Sequence, residues 1–314
     1  MINDRSGGDI RISEETRRKV WEAVEALNYQ PVSAARTLRL QRSNMLAVMI
    51  PRVENPWYPH FATAVQREAE KEGFDVFIYS THDDYQKEKD FLDVLLRRGV
   101  DGLITQTFQL ATEDIDRLIE AGIAVVIHGN APTHPFADNI VLDEAEAVEE
   151  AVSYLIGRGH RRIGMIAGPH TTWSGILRKE GYVNALEAHG IPIESDLICE
   201  TDYERGCGAI CMERLLELPV PPTAVFAAND LLAIDALLFA VDSGLSVPED
   251  VAIVGFDDIL EATLIRPKLT SIHKDIDLLG VTAVHMLIER INSEEPVPAR
   301  QKVLGYEIVY RESA

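Results

Sequence analysis

The feature that most constrains this chain is a beat of short apolar runs separated by longer stretches with helical periodicity. MLAVMI at 45–50 is apolar throughout, as a strand buried on both faces must be. A helical stretch over about 59–72 follows, and DVFIYS at 75–80 is the next strand. YQKEKDFLDVLLRRG then reads as an amphipathic helix ending on two arginines and Gly99. DGLIT, a helix to Ala121-Gly122 and IAVVI (123–127) come next. The beat restarts after Val141, with helices at 143–158, 174–189, 206–218 and 230–243 and strands at 162–168, 197–201, 223–227 and 251–255. Strand 268–272, helix 276–292 and strand 302–309 close the pattern. Strand–helix alternation predicts parallel sheets covered by helices, and two successive runs predict an α/β protein of two doubly wound lobes. A length of 314 residues fits two lobes plus an appendage. The expected core is 44–314, with an N-lobe of about 44–142 and 276–303 and a C-lobe of about 143–272 and 304–314.

Residues 1–43 are of a different kind. Ser13 is a candidate N-cap followed by Glu14 and Glu15, and Val20, Val24 and Leu27 recur at helical spacing beside Trp21. This predicts a helix over 13–28, stopped ahead of Pro31, then a short second helix over 32–40. The segment carries eight basic and six acidic side chains, while the whole chain has a net charge of −21, which leaves −23 on residues 44–314. A body that acidic repels nucleic acid, so any DNA contact has to be concentrated in the first segment, where Arg36, Arg39 and Arg42 lie without an acid among them.

In open α/β sheets, ligands bind beyond the carboxyl ends of the strands, and with two lobes the natural site is the cleft between them. That rule selects Asn55, Trp57 and Tyr58 after the first strand, then His128, then Trp173, Ser174 and Arg178. It adds Asp202 and Tyr203, Asn229 and Asp230, and Asp257 and Asp258. Aromatic rings with Asn, Asp and Arg suit a polyol, because rings cover the C–H face and polar groups meet the hydroxyls. Each residue also has a plainer reading. Trp57 and Trp173 would be packing residues, Asn229 a helix cap, Asp257 and Asp258 turn formers, and Arg178 one end of a surface ion pair.

Catalytic and metal signatures are weak. The sequence holds no GxSxG, HExxH or GxxxxGK[ST], and Gly157-x-Gly159 falls at a helix end, so no enzyme chemistry and no cofactor are expected. Cys207 and Cys211 lie four apart on one predicted helix and read as core or surface thiols rather than metal ligands. Three cysteines without a framework fit a reducing cytosol. No apolar run approaches the ~18 residues of a membrane span, and the polar start has no signal core, so a cytoplasmic protein is expected. His160 and His273 are isolated and are assigned no chemistry.

The order of several motifs resembles the lactose-repressor/galactose-repressor (LacI/GalR) family. They are ISEETRRKVWEAVEALNYQPVSAARTL, NPWY, GRGHRRIGMIAGP, LRKEGY, FAAND, VGFDD and LTSIHKDIDLLG, spread from Ile12 to Arg311. The resemblance implies a DNA-binding headpiece, a hinge helix and a periplasmic-binding-protein-like effector core. The third headpiece helix would be 13–28 and the hinge helix 32–40. Leu38 falls where the family places a leucine wedged into the minor groove, flanked by Arg36 and Arg39. The alternative is a linker in which Leu38 packs on the core. Effector positions of the family fall on Asn55, Trp57, Tyr58, Ser174, Arg178, Tyr203, Asn229 and Asp257, with Lys274 at a position that varies with ligand.

Two departures stand out. His128 sits where many relatives carry an acid, and Arg178, His128 and Lys274 together would admit an anionic or phosphorylated sugar. The family's first two headpiece helices are absent before NDRSGGDIR, with Met1-Ile2-Asn3 resembling the end of the recognition helix. The chain in this form is therefore expected to bind DNA weakly and with little sequence preference. The resemblance implies a homodimeric repressor of operator DNA controlled by a small, sugar-like effector; the chain ends at YRESA without a heptad tail. The other reading is a sugar-binding module that has lost operator recognition.

Overall fold

In the computed structural model the described residues are 13–26, 42–106, 110–129, 134–293, 295 and 297–314. The chain divides into two units, 1–43 and 44–314. In the first, α1 (Glu14–Ala26) starts at Ser13, whose Oγ accepts from the Thr16 amide at 3.2 Å. Two exposed i,i+4 pairs, Glu15–Lys19 and Arg18–Glu22, run along it. The sequence-predicted helix over 32–40, with Arg36, Leu38 and Arg39, lies outside the described residues.

In the second unit the strands of one sheet are β1 (Met45–Ile50), β2 (Asp75–Ser80), β3 (Gly102–Thr105), β4 (Ala124–His128) and β5 (Asp138–Leu142). Between them run α2 (Trp57–Lys71), α3 (Tyr85–Arg98) and α4 (Thr112–Glu120). The second sheet is built from β6 (Ile163–Ala167), β7 (Ile198–Glu200), β8 (Ala224–Ala227), β9 (Ala252–Asp257) and β10 (Thr270–Lys274). Its helices are α5 (Glu144–Gly157), α6 (Trp173–Ala188), α7 (Cys207–Leu216), α8 (Asp230–Asp242) and the short α9 (Glu261–Leu264). α10 (Ile276–Asn292), β11 (Gln301–Leu304) and β12 (Tyr306–Val309) complete the chain. The strand orders are β11-β5-β4-β3-β1-β2 and β12-β10-β9-β8-β6-β7.

Local chemistry sets the ends of these elements. Asp84, Asp143, Thr172, Asn229 and Asp275 each cap the helix that follows by accepting from an amide of its first turn. Central strands β1, β3, β4, β6, β8 and β9 are buried almost throughout, which is why they read as mainly apolar runs, with Thr105, His128 and Asp257 as polar ends.

Three differences from the sequence reading are informative. β5 is not among the strands expected from the sequence, and it opens with two polar residues, Asp138 and Asn139. The Asp138 carboxylate is fully buried and takes Arg290 and Arg300, partners more than 150 residues away. The expected strand 302–309 is two strands in different sheets, divided at Gly305. The second sheet is therefore not wholly parallel. β10 runs toward the other lobe and β12 comes back from it, so the pair is antiparallel, with Ser271 opposite Val309. Finally, Cys199 and Cys211 form a disulfide with a Cα–Cα separation of 5.6 Å, and Cys207 is the free thiol. The reading of Cys207 and Cys211 as thiols holds for Cys207 alone, because the fold brings strand β7 and helix α7 together and ties Cys211 to Cys199.

The chain crosses between the sheets three times, near Leu142, Lys274 and Gly305. Among the described residues, no helix is long and apolar enough to cross a membrane.

Candidate functional site

The carboxyl ends of strands from both sheets meet around one cleft of ≈ 480 Å³ that is open to solvent. Nine of the sequence-predicted residues line it: Asn55, Trp57, Tyr58, Ser174, Arg178, Tyr203, Asn229, Asp257 and Lys274. Two do not. Trp173 opens α6 with about 40% of its surface exposed and is not part of the lining. His128 is buried behind the wall, its ring stacked on Trp57 at 5.4 Å and its Nδ1 3.2 Å from Gln106 Oε1.

The wall after β1 is aromatic. Asn55 Oδ1 accepts from the Trp57 amide at 3.1 Å, so the Asn55 side chain shapes the turn that leads into α2. The Trp57 indole is 3% exposed. Phe61 is stacked on it at 5.6 Å, Tyr58 meets it edge-on at 5.1 Å, and the Lys274 ammonium sits over it at 4.6 Å. Packing thus accounts for most of Trp57. What it has left to offer is its Nε1–H, which is buried and has no hydrogen-bond partner among the described residues.

The opposite wall is ionic. Arg178, on α6, is 5% exposed and grips Glu144 in a fork, Nε to Oε2 at 2.9 Å and Nη2 to Oε1 at 3.0 Å. Its Nη1 donates to the Ala228 carbonyl, and its guanidinium lies 3.8 Å from the centre of the Phe256 ring. The surface-ion-pair reading of Arg178 therefore fails: both partners are buried. Burial alone would lower the Arg178 pKa, but Glu144, Tyr203 and Asp257 outweigh it and raise the value. Burial pushes Glu144 up, and the Arg178 and Lys274 charges outweigh that and hold it below its ordinary range. Lys274 Nζ pairs with Asp257 Oδ1 at 2.9 Å. Asn229 does cap α8, with Oδ1 2.9 Å from the Leu232 amide, and it also faces the cleft. Tyr203 Oη lies 3.3 Å from Ser174 Oγ.

Asp257 and Asp258 do form a turn, and an unusual one. Their φ values are +112° and +52°, a region non-glycine residues rarely occupy and one that costs on the order of 1–3 kcal/mol per residue. The turn is held on several sides. Asp258 N meets Ser271 Oγ at 3.1 Å, Asp258 pairs with Arg311 at 2.6 Å, and the Ile259 amide reaches Asp230 at 2.9 Å. Strain of this kind collects where a fold over-determines the backbone to present a side chain.

Five residues escaped the sequence reading. Pro51, Arg52, Asp83 and Gln106 also line the cleft, and the strand-end rule, applied to β1, β2 and β3 in full, would have reached them. Arg52 binds Asp83 in its own lobe and Glu204 of the other, Nη1 to Oε1 at 2.9 Å. Glu144 gave no signal, since an acid at the first position of a helix is explained by the helix dipole. Each cation at the cleft is thus already matched by a carboxylate. His128 adds no positive charge: burial first, then the Lys274 ammonium, pushes its pKa down to about 3.

The described residues bring Glu68, Glu72 and His285 together at a distance from the cleft, but Glu68 is already bonded to Lys71 at 2.6 Å and to His285 at 3.0 Å.

A family model of the periplasmic binding protein-like domain matches residues 152–314. Over 284 residues the chain is 32% identical to the HTH-type transcriptional repressor PurR of Pasteurella multocida (strain Pm70), which covers 90% of this chain and 85% of that protein. Among solved structures, a complex of the transcriptional regulator CelR with cellobiose superposes with a TM-score of 0.79 at 28% identity, over 98% of this chain and 93% of that one. A LacI family transcriptional regulator from Enterococcus faecium with bound ribose gives a TM-score of 0.78 at 28% identity, over 86% and 98%. On sequence, sheet order and the residues gathered at the strand ends together, the chain belongs to the LacI/GalR family of transcriptional regulators.

Proposed function

We propose that this regulator is a cytoplasmic, homodimeric repressor whose hold on operator DNA is set by a neutral, sugar-like effector bound in the cleft. The observation that carries the effector class is charge matching. Arg52, Arg178 and Lys274 each have a carboxylate within ion-pair distance, and His128 is held neutral. An added phosphate would have to compete with those carboxylates, whereas hydroxyls can bridge them and also accept from Trp57 Nε1–H. The sugars in the CelR and Enterococcus faecium complexes favour the same class. Asn55, Tyr58, Ser174, Tyr203 and Asn229 would supply further hydrogen bonds. On the DNA side, Leu38 would wedge the minor groove and Arg36 and Arg39 would meet its backbone. Effector binding and DNA binding would then be linked by one coupling free energy through the relative orientation of the lobes.

A thermal-shift screen with neutral sugars beside the corresponding sugar phosphates tests this, since a ligand that binds only the folded state raises Tm. Neutral sugars should stabilise and their phosphates should not. Asp257→Ala should weaken the sugar found by about 1–3 kcal/mol, the penalty for leaving hydroxyls unmatched. Stabilisation by phosphates alone would overturn the charge-matching argument.

A further inference from the structure

The disulfide has a position that makes it more than a brace. Cys199 lies on β7, a three-residue strand at the edge of its sheet, and Cys211 lies one turn into α7. Between them runs the loop over 201–206, which carries Tyr203 into the cleft and Glu204 to Arg52 of the other lobe. The bond therefore joins the two ends of a segment that forms part of the candidate effector site.

The two ends differ in how firmly they are held. α7 is pressed against α8 at Gly208, where a Cβ would come within 2.1 Å of the Leu232 carbonyl oxygen. The edge strand has one neighbour, β6, and the loop that leaves it is mostly exposed. Its anchors lie mostly at the surface: the Thr201 amide on the Ala167 carbonyl at 3.0 Å, the Gly206 amide on Asp235, Tyr203 Oη near Ser174, Glu204 on Arg52 of the other lobe, and Glu200 on His170. A bond from Cys199 to Cys211 passes the rigidity of α7 to the weaker end.

We propose that Cys199 and Cys211 form a reversible dithiol–disulfide switch that sets the order of loop 201–206 and, through Tyr203 and Glu204, the affinity of the cleft. Only the last step rests on the cleft being the effector site. The co-reactant is a low-molecular-weight thiol/disulfide couple. Forming the bond, a Cys199 thiolate attacks the small disulfide, releasing one small thiolate and leaving a mixed disulfide; the Cys211 thiolate then displaces the second. The two protein thiols lose two electrons and two protons, and the small disulfide gains both as two thiols. The Arg214 guanidinium, 3.5 Å from Cys199 Sγ, favours negative charge on that sulfur, as attacker in oxidation and as leaving group in reduction. Both sulfurs are buried, so exchange has to pass through local opening, and an exposed loop beside a short edge strand is where opening comes most readily.

The test equilibrates the full chain in glutathione buffers of stepped potential and counts alkylated thiols by intact mass. It follows hydrogen exchange of the peptide spanning 198–206 and Tm shifts with D-ribose and cellobiose. Alkylation at Cys207 alone should give way to alkylation at all three cysteines as the buffer becomes reducing. Exchange at 201–206 should rise about tenfold in the same step. Any sugar that binds should weaken by about three- to tenfold, as an ordered loop is lost. A Cys199→Ser, Cys211→Ser double variant should exchange fast in every buffer, and Cys207→Ser should respond as the unaltered chain does. Should the double variant not fold, the reduced and oxidised unaltered chain supply the same comparison. Three alkylations in every buffer, or exchange indifferent to reduction, would overturn the switch. If neither sugar shifts Tm in either state, the sugar reading of the cleft is what suffers, and exchange at 201–206 still decides the switch.

Discussion

Trp57 and Arg178 face the same cleft and are held in place by opposite means. On the N-lobe side, Trp57 is wedged among Phe61, Tyr58 and His128, and the residue it leans on is an imidazole kept neutral by burial. On the C-lobe side, Arg178 is fixed by a buried carboxylate, a carbonyl and a ring face. An aromatic cluster is non-directional and tolerates volume-conserving change. A buried ion pair is directional, and losing one member leaves the other charged and stranded. The two walls should therefore respond very differently to truncation.

The largest effect is expected from Arg178→Ala. Glu144 would remain buried without its partner, and breaking such a pair costs about 3–5 kcal/mol. Glu144→Ala should cost a similar amount, and the two losses should not add, because either one removes the whole interaction. Replacing both with apolar residues of like volume, Arg178→Met with Glu144→Leu, should recover most of the stability while abolishing ligand response. Denaturant titration of the unaltered chain, the two single variants, the Arg178→Ala, Glu144→Ala double variant and the apolar pair checks this. Additive losses would show that Arg178 and Glu144 are stabilised separately, and the contrast between the walls would disappear.

That pair also marks the limit of what the sequence discloses. Elements whose burial is self-evident were legible: β1, β6 and β8 hold only apolar residues and glycine, and α3 announces its C-terminal end with Gly99. So was most of the cleft, since the strand-end rule depends only on knowing where strands stop. What escaped were features defined by a distant partner. β5 begins with Asp138, whose polar look is cancelled by Arg290 and Arg300. Glu144 has a sufficient local explanation until Arg178 is beside it. Cys199 and Cys211 meet only because a strand and a helix pack together. Trp173 shows the reverse error: a strand-end position is necessary for a place in the cleft but does not secure one.

Acid should separate the walls next. The folded His128 takes up a proton only near pH 3, whereas an unfolded imidazole does so near 6.5. The unfolded state therefore binds more protons between those values, so stability falls as pH falls, by at most about 1.4 kcal/mol per pH unit. Glu144, held below its ordinary range, acts in the same sense at the lower end of that window. Asp230 acts in the other, because burial first of all, and then Asp257, push its carboxyl well above the usual range and its protonated form favours the fold as pH drops. The difference between the unaltered chain and His128→Gln isolates the imidazole. Between pH 7 and 5 the unaltered chain should lose stability relative to the variant by up to about 2 kcal/mol. Equal pH dependence in the two would show that His128 is not held neutral.

The smallest effect is expected where the two walls touch through charge. Arg52 joins Asp83 in its own lobe to Glu204 in the other, but Arg52 is 27% and Glu204 54% exposed. Water screens such a pair, and holding two long side chains in one geometry costs entropy, so exposed pairs contribute about 0.2–1 kcal/mol. A double-mutant cycle with Arg52→Ala and Glu204→Ala should give a coupling in that range, shrinking as salt rises through the Debye regime. This is the behaviour a contact needs if lobes are to change their relation on ligand binding, since a strong bridge would fix one arrangement. A salt-insensitive coupling as large as that of Arg178 with Glu144 would mean that the cleft is locked by charge on both sides, and the contrast between an apolar wall and an ionic one would no longer describe it.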